Sequence, residues 1–211
     1  MTGIYSTPVL TVEQLSTQLE YRISDGQGTP VAAAAQVAGE RPRKGLLGRF
    51  SSGVENERLV VQVSDPGGAP LFFVDRAPEA PVAVVAPDGT VIGRLAYDAQ
   101  AFARSYLAGQ ARTPGGRDRF NESHRLVDAN DTTLCAVMWE ETRMGGYVTD
   151  QPSGGRYCVF TDANGNELAR MDQAQNKQVR DRYDLRLNYQ LPEPLRTLVI
   201  ASPIAFDLSR S

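Results

Sequence analysis

The chain has 211 residues, 41% of them hydrophobic, and a formal net charge of −3. That length is within reach of one large all-β domain with a filled core, and the slight negative charge gives no general attraction to nucleic acid or anionic lipid, so binding to either needs a local basic patch. A single histidine and two cysteines leave no histidine-based metal site to expect and no disulfide scaffold.

From the N-terminus, Met1 to Tyr5 lack the basic and apolar regions of a signal peptide, so a cytoplasmic protein is expected. A first strand is predicted over Val9 to Leu15. One unit then recurs: an alternating or apolar strand, a turn built on Asp and usually Gly, and a second strand. Its copies are 21–24 with 30–35, 59–63 with 71–74, 82–85 with 91–95, 124–127 with 133–139, and 157–160 with 167–171. Gly and Asn supply the positive φ of tight hairpins, and Asp bonds the turn backbone. A last strand is predicted over Arg182 to Leu187. Cys135 and Cys158 fall in predicted strands and are expected to be free buried thiols.

After it, Leu195 to Leu208 form a near-apolar stretch with no amphipathic face, which as a helix must be surrounded. At about 1.5 Å per residue it is about 21 Å long, short of the roughly 20 apolar residues that span a bilayer. Protein, not lipid, is therefore the expected surrounding. Pro203 removes one helix hydrogen bond and predicts a kink or an early stop. Twelve short antiparallel strands closed on themselves leave no open edge. So large a barrel needs a filler, and the C-terminal helix is that filler. The predicted fold is a twelve-stranded antiparallel closed β-barrel around a central hydrophobic helix, one domain over 1–211 with its core over about 9–208.

Here the chain resembles the tubby C-terminal-like superfamily, in particular its phospholipid scramblase and LURP-one-related branch. The resemblance rests on the repeated strand-Asp-x-x-Gly-strand units, on Arg182-Tyr183-Asp184-Leu185, and on Leu191-Pro192-Glu193-Pro194-Leu195-Arg196 leading into Ile204-Ala205-Phe206-Asp207. It implies the same barrel around a central C-terminal helix. The roles it implies are diverse: phosphoinositide-dependent membrane tethering, proposed lipid scrambling, plant defence, and uncharacterised bacterial members. The cysteine-rich segment, proline-rich tail and acidic calcium loop of eukaryotic scramblases have no counterpart in this sequence. Asp162-Ala163-Asn164-Gly165-Asn166-Glu167 superficially resembles an EF-hand start, yet Glu167 stands where that loop needs Gly and Gln173 where it needs Glu. A hairpin turn is expected instead.

No Gly-rich phosphate loop, G-x-S-x-G elbow or H-E-x-x-H helix is present. A pairing of His124 with Cys135 or Cys158 stays open from sequence, and Glu140-Glu141 would point to opposite faces of a strand. No catalytic residue, metal or cofactor is assigned. What stands out is Arg41, Arg43, Lys44 and Arg49 around the apolar Leu46, Leu47 and Phe50, with a second cationic segment at Arg112, Arg117 and Arg119. Cations near an anionic surface contribute about 1 kcal/mol each, and apolar tips insert. The expected function is non-enzymatic binding of phospholipid head groups or an anionic membrane surface by a monomer that is cytoplasmic and peripheral at the membrane. The alternative is a protein-interaction or structural adaptor that uses the barrel's loops.

Overall fold

The computed structural model describes residues 3–16, 18–39, 57–104, 122–141, 156–174 and 181–209. Twelve strands follow one another: β1 (Val9–Ser16), β2 (Glu20–Asp25), β3 (Pro30–Ala38), β4 (Leu59–Ser64), β5 (Pro70–Arg76), β6 (Val82–Val85), β7 (Val91–Tyr97), β8 (Ser123–Asp128), β9 (Thr133–Glu141), β10 (Arg156–Thr161), β11 (Glu167–Ala174) and β12 (Arg182–Leu187). Each pairs antiparallel with its neighbours in sequence, and β1 pairs with β12 through Leu10 opposite Leu185 and Val12 opposite Tyr183, which closes the ring. The closed twelve-stranded barrel is the expected fold, and all twelve predicted strands are present. Ile4–Ser6 form a short 3-10 turn, η1. A helical stretch over 99–104, α1, was not predicted; the Asp98 carboxylate caps it by accepting from the Ala101 N–H at 2.9 Å.

Alternation of side chains decides which face of each strand looks inward. Leu59, Val61 and Val63 of β4, Phe72 and Val74 of β5, Phe160 of β10, and Met171 of β11 are all buried, with polar or half-exposed residues between them. Four hairpins share one turn. Asp25, Asp65, Asp128 and Asp162 each accept, through Oδ1, the N–H groups two and four residues on, at 2.8–2.9 Å. The fourth turn position is left-handed, with φ of 82° at Gly28, 87° at Gly68 and 83° at Gly165. In the β8–β9 turn Asp131 holds that place at 64°, and the register slips there by one residue as a bulge. The β6–β7 turn uses Ala86 first and moves its aspartate to position 88, whose carboxylate accepts from the Thr90 N–H at 2.9 Å.

Helix α2 (Leu195–Ser209) fills the barrel. Every residue from Leu195 to Leu208 except Arg196 is buried, and no described helix is long and apolar enough to cross a membrane. Six of those side chains, Leu198, Val199, Ile200, Ile204, Phe206 and Leu208, contribute on the order of 9–18 kcal/mol gross at about 1.5–3 kcal/mol each, comparable with the whole net stability of a domain. The first turn is held by Glu193, whose carboxylate accepts from the Thr197 hydroxyl at 2.7 Å. Gly93 of β7 lets the helix approach: a Cβ there would meet the Val127 carbonyl oxygen at 2.2 Å and the Leu198 side chain at 2.8 Å.

The early stop expected at Pro203 does not occur, since α2 continues to Ser209. A proline in a helix costs about 3 kcal/mol, less than burying Ile204, Phe206 and Leu208 recovers at the same rate per side chain. The Ser202 hydroxyl turns inward on the helix and donates to the Leu198 carbonyl at 2.8 Å.

Candidate functional site: the long-loop mouth

Strand direction sorts the connections between the two mouths of the barrel. The five Asp turns all lie at one end, the turn mouth, where α2 also enters after residues 188–194. Connections at the other end join β1 to β2, β3 to β4, β5 to β6, β7 to β8, β9 to β10 and β11 to β12. This long-loop mouth is where α2 ends. The segments that hold Arg41, Arg43, Lys44, Leu46, Leu47, Arg49 and Phe50, and Arg112, Arg117 and Arg119, lie outside the described residues. The strands that flank both segments, β3 and β4 for one and β7 and β8 for the other, end at this same mouth.

Charge divides along the same axis. Connections at the turn mouth carry Asp25, Asp65, Asp88, Asp128, Asp131, Asp162 and Glu193 and neither lysine nor arginine, whereas in those at the long-loop mouth Arg and Lys outnumber Asp and Glu.

The inward rows change chemistry toward the long-loop mouth. Along β5, Phe72 and Val74 give way to Arg76; along β7, Leu95 gives way to Tyr97; along β8, Leu126 gives way to His124. Along β9 and β10 the row ends on Trp139 and Arg156, and along β2 and β12 it reaches Tyr21 and Tyr183. These side chains form a polar and aromatic collar around the last turns of α2.

One sector of the collar is satisfied internally. The Tyr21 hydroxyl donates to Asp207 of α2, and burial, then the Asp207 charge, push the phenol far above its ordinary range. Nearby, the Gln173 amide donates to Asp181 at 3.0 Å. In the next sector Trp139 and His124 each meet the Phe206 ring edge-on, with centroids 5.0 Å apart in both pairs. The Arg156 guanidinium stands 5.2 Å from the Trp139 centroid and 3.4 Å from the Glu122 carboxylate. This aromatic seam locks the C-terminal half of α2 against β8 and β9.

The third sector is open. A pocket of about 530 Å³ lies between the ends of β5, β7 and β8, the 77–81 loop and the last residue of α2. Arg76, Glu79, Tyr97, His124, Arg125 and Ser209 are the polar residues of its lining. Arg76 is buried and donates through Nη2 to the Glu57 carbonyl at 3.1 Å. The loop reads Ala77-Pro78-Glu79-Ala80-Pro81, with Glu79 at φ 57°, so two prolines and a left-handed residue fix its path.

The sequence pointed to the cationic connections but not to Arg76, Tyr97 and Arg125. For Arg76 and Tyr97 the usable signal was an apolar inward row that ends on a polar residue at the end of a strand. His124 is set by register opposite Val137, while Cys135 stands opposite Leu126. Both cysteines are free and buried. Burial pushes the Cys135 thiol up to about 12, so it stays protonated and unreactive. The run from Asp162 is the β10–β11 turn, its carboxylate taken up by Asn164 and Asn166. Among the described residues no group of His, Cys, Asp and Glu could hold a metal ion.

No protein-family model matches the chain, and neither curated proteins nor solved structures give a match.

Proposed function

We propose that this protein is a non-enzymatic, tubby-like lipid-surface module that docks its long-loop mouth on an anionic phospholipid membrane. The observation that carries this reading is the polarity of the barrel. Two segments rich in Arg and Lys, one with Leu46, Leu47 and Phe50 among its cations, are tethered at one mouth, and turns rich in Asp stand at the other. An anionic surface attracts the first and repels the second. The described rim adds apolar contact: Val37, Tyr97 and Met138, three of the four exposed large hydrophobic side chains among the described residues, belong to the strand ends at the long-loop mouth.

Four cations in the 41–49 segment contribute on the order of 4 kcal/mol to an anionic surface, or roughly a thousandfold in affinity. The test is co-sedimentation with vesicles. The protein binds phosphatidylserine-containing vesicles and not phosphatidylcholine alone, binding falls with salt, and replacement of Arg41, Arg43, Lys44 and Arg49 by Glu abolishes it. A wild-type protein that ignores anionic vesicles at low salt overturns the proposal, and the adaptor reading, in which the same rim meets a protein partner, takes its place.

A further inference from the structure

We infer that the outer face of β3 to β6 is a docking surface for a second copy of this chain, packed antiparallel about a two-fold axis. The inference is independent of the membrane reading. An antiparallel strand with one side in water alternates apolar and polar residues, whereas a continuous apolar run belongs to a sheet covered on both sides. β4 reads Leu-Val-Val-Gln-Val-Ser, β5 carries Leu71-Phe72-Phe73-Val74, and β6 is Val-Ala-Val-Val. Within β3 to β6 the charged residues are Asp75 and Arg76, whereas β11, β12, β1 and β2 hold ten. Inside the barrel α2 packs on β5 and β6. Outside, register sets Ala35, Gln62, Phe73 and Val85 side by side in one row across the four strands, and all four are exposed or half-buried.

The polar groups on this face are already answered within the wall. The Gln62 amide donates to the Ser64 hydroxyl at 2.8 Å, and the Asp75 carboxylate accepts two bonds from Arg58 at 2.9 and 2.5 Å. Contact with an apolar surface therefore strands few unpaired groups. A second copy fits the face because its two ends carry opposite charge. Arg58, with N–H donors left beyond the Asp75 pair and its side chain 65% exposed, precedes β4 at the long-loop end. Asp65 follows β4 at the turn end, with Asp88 in a neighbouring turn; Arg58 and Asp65 lie about 23 Å apart at about 3.3 Å per residue. A two-fold axis through the row of Gln62 and Phe73 lays Arg58 of each copy toward the acidic turns of the other, whereas a parallel pair sets like charge on like. In plan the apolar face covers roughly 300 Å², short of the roughly 800 Å² per partner of a standard interface, so pairing is weak and reversible. On an anionic membrane the second copy's acidic turn mouth faces the lipid, so docking and pairing compete.

Sedimentation velocity of the full chain over rising concentration tests the pairing. A reversible monomer–dimer equilibrium without larger species is expected. Ala35→Glu places a charge in the middle of the face at an exposed position and should raise the dimer dissociation constant about tenfold or more, while Arg186→Glu, on the charged part of the wall, should leave it unchanged. Cross-linking gives a second measure that stands even if Ala35→Glu fails to fold. The native cysteines are buried, so Gln62→Cys adds one accessible thiol beside the axis; mild oxidation should join two copies through it, and Arg186→Cys should stay monomeric. A chain that sediments as a monomer at every concentration overturns the inference and leaves the face to a different protein. A dimer that Ala35→Glu leaves intact, or that Gln62→Cys fails to cross-link, also overturns it. So does a ladder of larger species, the mark of head-to-tail stacking of unlike mouths.

Discussion

The two mouths of the barrel are made from the same twelve strands and solve opposite problems. At the turn mouth, four of the five hairpins close on an Asp turn whose side chain answers its own backbone, and the opening is plugged by buried Ile4, Leu191 and Leu195. What that end offers a partner is fixed negative charge. At the long-loop mouth the plug is polar and aromatic, four of the six connections are longer than any turn at the other end, the connections together are richer in cations, and one sector stays open as a cavity. The buried core runs through the barrel around α2, and recognition is proposed at the second mouth. Substitutions at the two ends should therefore fail in different ways.

The largest effect is expected where the two mouths share a core. Ala201 is fully buried at mid-helix, so Ala201→Arg places an unpaired charge inside the barrel at a cost of several kcal/mol against a total of about 5–15. Chemical denaturation should show a chain that is largely unfolded or aggregated at room temperature. Removal of residues 195–211 should do the same, and a truncated protein that stays folded and monomeric would mean that α2 is not the core.

How much of this was legible in the sequence follows from the range of the forces involved. The twelve strands and the helix were readable because each is set by neighbours in the chain: Asp and Gly mark the turns, alternation marks the strands, and a helix without a polar face has to be enclosed. Pro203 misled because its local cost is visible in sequence while the compensating burial of Ile204, Phe206 and Leu208 is not. The pocket was hidden for a stronger reason. Arg76, Tyr97 and Arg125 come from three strands and line one pocket only once β5 to β8 stand side by side in the barrel wall.

A smaller loss is predicted from overpacking at the helix seam. Gly93→Ala drives a methyl group into the Val127 carbonyl and Leu198, and its denaturation midpoint should fall by the equivalent of about 1–3 kcal/mol. Tyr21→Phe removes the hydroxyl that donates to buried Asp207 and should cost about 1–3 kcal/mol, leaving vesicle binding intact if the satisfied sector of the collar is only structural.

The smallest effect belongs to the turn mouth and is read through pH. The Thr90 N–H holds the Asp88 carboxyl below the usual carboxylate range, and the side chain of Asn166, with backbone N–H groups, does the same for Asp162. A folded-state value below the unfolded one, about 3.9, contributes stability above that pH that is lost as pH falls through the folded value. Asp162→Ala should lower the melting temperature at neutral pH, and the gap from wild type should close progressively below about pH 4. A gap that does not change with pH would mean the carboxylate's charge has no part in the turn.

Orientation on a membrane tests the contrast between the mouths most directly. Gln27 and Ala80 are exposed, one at each end of the barrel, and the native cysteines are buried. A fluorophore can therefore be attached at Gln27→Cys or at Ala80→Cys alone. On anionic vesicles that carry a nitroxide-labelled lipid, the probe at position 80 should be strongly quenched and the probe at position 27 should not. Equal quenching at both positions, or stronger quenching at position 27, would contradict the account.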